Sequence, residues 1–64
     1  MAWFFRVLQL PDDRWACRHG RVQFDIHAEL GSAIQHMRAM AKEHQPAEII
    51  VHRLDGTVQS LGLM

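Results

Sequence analysis

Two periods of apolar residues alternate along this chain, one of two residues and one of three to four, and they divide it into strands and a helix. Residues 3–10 read as a first strand, which Pro11-Asp12-Asp13 ends. Alternation puts Trp3, Phe5 and Val7 on one side and Phe4, Arg6, Leu8 and Leu10 on the other, and Arg6 marks the second side as the outer one. Arg18-His19-Gly20-Arg21 fits a hairpin loop that pairs Arg18 with Arg21, Cys17 with Val22 and Trp15 with Phe24. In that register Trp15, Cys17, Val22, Phe24 and Ile26 share an apolar face. Arg14, Ala16, Arg18, Arg21, Gln23 and Asp25 share the opposite, arginine-rich one. A hairpin divided in this way belongs to an antiparallel sheet covered on one side.

The cover comes next. Leu30, Ala33, Ile34, Met37 and Ala41 recur at the spacing of one helical face, starting near Glu29 and ending near His44, since Pro46 disfavours helical geometry at Gln45. Residues 47–59 then form a second hairpin. Ile49, Ile50 and Val51 are β-branched, and Arg53-Leu54-Asp55-Gly56 suits a type I turn closed by a glycine bulge, with Arg53 opposite Thr57. That turn places Ile50, His52, Val58 and Ser60 on one face and Ile49, Val51, Gln59 and Leu61 on the other. The pattern predicts a single α+β domain over residues 1–64, of order β-β-β-α-β-β, with one antiparallel sheet and the amphipathic helix across one face.

One helix cannot cover both sides of such a sheet. Whichever face of the 47–52 strand meets the helix, β-branched residues remain on the open side near Phe4 and Leu8, and Leu61, Leu63 and Met64 add apolar surface at the tail. The predicted interaction surface comprises Phe4, Arg6, Leu8, Arg14, Arg18, Arg21, Ile49 and Val51.

Composition narrows the possibilities. A 64-residue chain buries only about 60% of the surface its unfolded form exposes, so self-association or another reinforcement is expected. Cys17 is the one cysteine and has no internal partner; a free thiol suits a reducing cytoplasm. No stretch approaches the roughly 18 apolar residues of a membrane-spanning helix, and Arg6 interrupts the apolar opening, which reads as a strand rather than a secretion signal. Seven basic and seven acidic side chains cancel, removing the bulk electrostatic case for a nucleic-acid or membrane partner.

Three stretches carry a family resemblance: Arg14-Trp15-Ala16-Cys17, then Met37-Arg38-Ala39-Met40-Ala41-Lys42-Glu43, then Val51-His52-Arg53-Leu54-Asp55-Gly56-Thr57-Val58-Gln59. Their order and spacing over roughly residues 3–59 resemble the small bacterial family known as domain of unknown function 2188. Cys17 stands where that family usually has valine, and Met37 where it usually has alanine. The resemblance implies a small α+β fold and brings no activity and no catalytic residues with it.

Candidate chemistry is sparse. His19, His27, His36, His44 and His52 lie eight or nine residues apart, share no evident helical face with a carboxylate, and lack the familiar zinc spacings, so neither metal nor other cofactor is expected. His52, before the turn, reads as a structural imidazole bonding the turn backbone, and Asp55 as a turn residue bonding its own backbone. Cys17 reads as an inert packing group, and Met37 and Met40 as core filler. A single-layer sheet leaves little room for the roughly 300 Å³ or more of a ligand site, so no small-molecule substrate is expected and the chain is not predicted to be an enzyme. Two functions remain. The first is a cytoplasmic interaction module whose open sheet face forms a homodimer or docks a protein partner. The alternative is a nucleic-acid binder using Arg14, Arg18 and Arg21 with Gln23, Arg6 and an exposed aromatic.

Overall fold

The computed structural model describes residues 2–63, and of Leu63 the backbone alone. Local chemistry sets the ends of each element. β1 (Trp3–Gln9) gives way to a turn at Pro11, closed by bonds from the Asp13 N–H to the Leu10 carbonyl (2.9 Å) and from the Leu10 N–H to the Arg14 carbonyl (2.7 Å). β2 (Trp15–His19) and β3 (Val22–His27) meet at Gly20-Arg21, where Gly20 takes φ 59°. α1 (Leu30–Glu43) runs between Glu29 and His44, as its apolar spacing predicts. β4 (Ala47–His52) and β5 (Val58–Leu63) form the closing hairpin. There Gly56 N–H donates to the Arg53 carbonyl and Arg53 N–H to the Thr57 carbonyl, each at 3.0 Å, with Gly56 at φ 89°.

The strands lie in the order β3-β2-β1-β4-β5, and β4 runs parallel to β1. The α+β class and the element order hold, but the sheet is mixed rather than antiparallel throughout. The reason is the connection. Three strands in hairpin sequence leave β3 pointing the same way as β1, and a helical crossover returns the chain to the same end of the sheet, so β4 must also run parallel to β1.

α1 contacts β1, β2, β3 and β4, and among the described residues it does not reach β5. Ala33, Met37 and Ala41 form its buried seam, and the two alanines let the helix axis come close to the sheet. Facing them are Phe5 and Val7 of β1, Cys17 of β2, and Ala47, Ile49 and Val51 of β4, all essentially inaccessible to solvent. Leu30, Ile34, Met40, Trp15, Phe24 and Leu61 pack around this core. The register of β1 against β4, Phe5 beside Ile49 and Val7 beside Val51, decides which face of β4 meets the helix. Ile49 and Val51, expected on the interaction surface, are therefore core residues, and Ile50 takes their place outside. Met64 and the Leu63 side chain, expected to add apolar surface, lie outside the described residues.

A second correction concerns the β2–β3 hairpin. His19, not Cys17, lies opposite Val22; Arg18 pairs with Gln23, Cys17 with Asp25 and Ala16 with Ile26. Arg21 belongs to the turn and pairs with nothing across it. The register shifts beside Cys17 and Arg18, leaving Phe24 as the extra residue of a β-bulge. Beyond the bulge the sides exchange: Ile26 turns outward, while Asp25 and His27 turn beneath the helix.

Candidate functional site

The outer face of the sheet carries a row that crosses every strand and is apolar at each except β4, where His52 stands. Strand register aligns Ile26, Ala16, Leu8, His52 and Val58 from one edge to the other. Ile26 and Val58 at its ends are 39% and 62% exposed, Leu8 and His52 between them are half-buried, and Ala16 is buried. A second row runs Gln23, Arg18, Arg6, Ile50 and Ser60, and beside it Phe4, 48% exposed, neighbours Glu48. The Ser60 hydroxyl donates to Glu48 Oε2 at 2.9 Å. Arg18 Nε and His52 Nε2, both in these rows, are buried without a hydrogen-bond partner among the described residues.

Of the residues predicted to form this surface, Phe4, Arg6, Leu8 and Arg18 come together on it. Arg14 lies at its margin, paired with Asp12 through an Nε to Oδ2 contact of 2.6 Å that holds the Asp12 carboxyl below its ordinary pKa. Asp25, expected on the arginine-rich face, is on the other side of the sheet, against His36 of α1. Sequence reasoning missed Ile26, because the bulge that turns it outward has no glycine to announce it.

The turn beyond β4 is held differently from expectation. Gln9 of β1 supplies the bond, its Oε1 accepting from the Leu54 N–H at 2.9 Å, while His52 makes no such contact to the turn. Asp55 does bond its own backbone: Oδ1 accepts from the Thr57 N–H at 2.9 Å and from its hydroxyl at 2.7 Å, and these bonds lower its pKa.

Beneath the helix, the bulge assembles a polar cluster. Asp25 Oδ2 lies 2.8 Å from His36 Nδ1 and 3.2 Å from His27 Nε2, and the two ring nitrogens are 3.3 Å apart. Cys17 completes the group, and one ligand atom from each of the four residues falls within 4.8 Å of the others. The Cys17 thiol is fully buried, 4.0 Å from the Ala33 carbonyl oxygen. Burial and the nearby Asp25 carboxylate push its pKa up to about 12. Phe24 meets the His36 ring edge-on, at 6.3 Å between centroids and 69° between planes, and limits how that imidazole can turn. The sequence reading separated these histidines from any carboxylate. In fact His27 shares a strand face with Asp25, and His36 descends onto both from α1.

Two open depressions, of about 390 and 400 Å³, are lined by Ala2, Phe4, Arg6, His19 and Gly20 and by Gln35, Arg38, Ala39 and Lys42. Neither lining set pairs a nucleophile with a base to activate it. Among the described residues, no helix is long and apolar enough to cross a membrane. Comparison with curated proteins and with solved structures found no match. A family model described as "uncharacterized protein conserved in bacteria" matches residues 5–60, which span β1 through most of the closing hairpin. With that extent of agreement, the chain belongs to this bacterial family, DUF2188.

Proposed function

We propose that the domain is a non-enzymatic interaction module that pairs with a second copy of itself through the outer face of the sheet. The row from Ile26 to Val58 carries this reading: α1 occupies the opposite face, and on this one Ile26, Val58 and the nearby Phe4 are exposed. Contiguous apolar surface of this kind marks contact sites, and a chain so short gains much from covering it. The face carries opposite charges on either side of β1, Arg18 on β2 and Glu48 on β4, and the formal net charge of the chain is zero. A two-fold axis along β1 would lay Ile26 opposite Val58 and bring Glu48 next to Arg18, an isologous contact. The free thiol of Cys17 supports a reducing, cytoplasmic setting.

A second reading, single-stranded nucleic acid on the same face, draws on the adjacency of Arg6 and Arg18 beside the exposed Phe4. Arg14 is tied to Asp12 and Arg21 sits in the turn, so the basic patch is smaller than the sequence count implies.

Light scattering over a range of protein and salt concentrations separates the two. Self-association through the apolar row predicts a mass near twice that of the chain, little changed by salt, and reversion to the single-chain mass in Val58→Lys. A single-chain mass at every concentration, with an oligonucleotide retained at low salt and lost steeply as salt rises, would instead support the nucleic-acid reading.

A further inference from the structure

We propose that Cys17, Asp25, His27 and His36 form a four-coordinate site for Zn(II), joining β2, β3 and α1 on the side of the sheet away from the apolar row. The donor set, one sulfur, one carboxylate and two imidazoles, is the borderline mixture Zn(II) selects over harder cations. The spacing agrees for the carboxylate and the two imidazoles, while Cys17 Sγ, within 4.8 Å of them, would draw in by about 1 Å to complete the tetrahedron. Ligands about 2.1 Å from a central zinc stand roughly 3.4 Å from one another in a tetrahedron. The three distances among Asp25 Oδ2, His27 Nε2 and His36 Nδ1 are 2.8, 3.2 and 3.3 Å. Each element contributes what its geometry allows: Asp25 and His27 two residues apart on one face of β3, Cys17 opposite Asp25 on β2, and His36 from the turn of α1 above them.

The competing account is a polar cluster satisfied by itself, with Asp25 accepting hydrogen bonds from both imidazoles. It leaves Asp25 Oδ1 buried with no partner among the described residues. An unpaired carboxylate oxygen beneath a helix is costly, and a divalent cation would neutralise it. Cys17 is closed off from solvent while the His27, Asp25 and His36 side chains keep 24%, 36% and 36% of their accessibility, so an ion can enter from the β3 edge without opening the core. The site would also supply the reinforcement that a small domain without a disulfide lacks.

Co(II), which takes tetrahedral zinc sites and reports its ligands by absorption, provides the test on the full chain stripped with a chelator. The expected result is one Co(II) per chain with a thiolate-to-metal charge-transfer band and the intense visible bands of tetrahedral Co(II), displaced by Zn(II). Cys17→Ser should lose the charge-transfer band, and Asp25→Asn should weaken binding by at least about tenfold. Folded wild-type protein that shows no thiolate band at saturating Co(II) would overturn the assignment, whatever the variants do. So would a band left unchanged in folded Asp25→Asn and His36→Gln proteins.

Discussion

Gly56 adopts φ 89° because the bulged turn between β4 and β5 needs a left-handed residue at that point, and side chains with a Cβ resist it. The space around it is open, so the constraint is on the backbone and not on packing. Gly56→Val is expected to cost about 1–2 kcal/mol, read as a lower urea midpoint with an unchanged slope. Asp55, one residue earlier, acts through its bonds to Thr57, which lower its pKa from the ordinary 3.8. A carboxyl whose folded pKa lies below its unfolded one contributes stability above 3.8 and loses it as pH falls through the folded value. Asp55→Ala should therefore be less stable than wild type near neutrality, and the gap should close in strong acid; urea unfolding at both conditions measures it. An unchanged gap would mean that the Thr57 bonds do not stabilise the fold.

Among elements, the seam between α1 and the sheet concentrates the stabilising burial. Met37 sits at its centre, wholly inaccessible, whereas Ile34 lies at its flank and is only half-buried. Met37→Asp, which places an unpaired charge among Phe5, Ile49 and Val51, is expected to abolish folding, as followed by circular dichroism. Ile34→Asp should destabilise less than its place in the apolar spacing alone would indicate. Arg21→Glu, in the exposed β2–β3 turn, should change stability by no more than about 0.5 kcal/mol. The closing hairpin and the sides of β1 were legible in the sequence because Gly56 pins one register and Arg6 orients the other strand. The β2–β3 register was not, because the bulge at Phe24 arises from how the strands fit together and leaves no local mark. It is also what turns Asp25 inward, so the Cys17, Asp25, His27 and His36 cluster was hidden with it. Ligands drawn from three elements have no fixed spacing along the chain, and Asp25-x-His27 on one strand face was the only local clue. The parallel pairing of β1 with β4 was deducible from the helical crossover, but not from the apolar pattern.

For the whole molecule, the decisive imbalance is one helix against a sheet of five strands. The covered face holds the core and the proposed metal site; the uncovered face holds the row from Ile26 to Val58 and the arginines beside it. Pairing of two copies across that face would cover Ile26, Leu8 and Val58, which align in register there with only His52 of β4 breaking the apolar series. Methyl NMR with a soluble paramagnetic agent addresses the pairing residue by residue. If the outer face is the interface, the methyls of Leu8, Ile26, Ile50 and Val58 will be shielded from the agent at high protein concentration and will become accessible together on dilution. Equal broadening of those methyls at every concentration would contradict the proposed self-association.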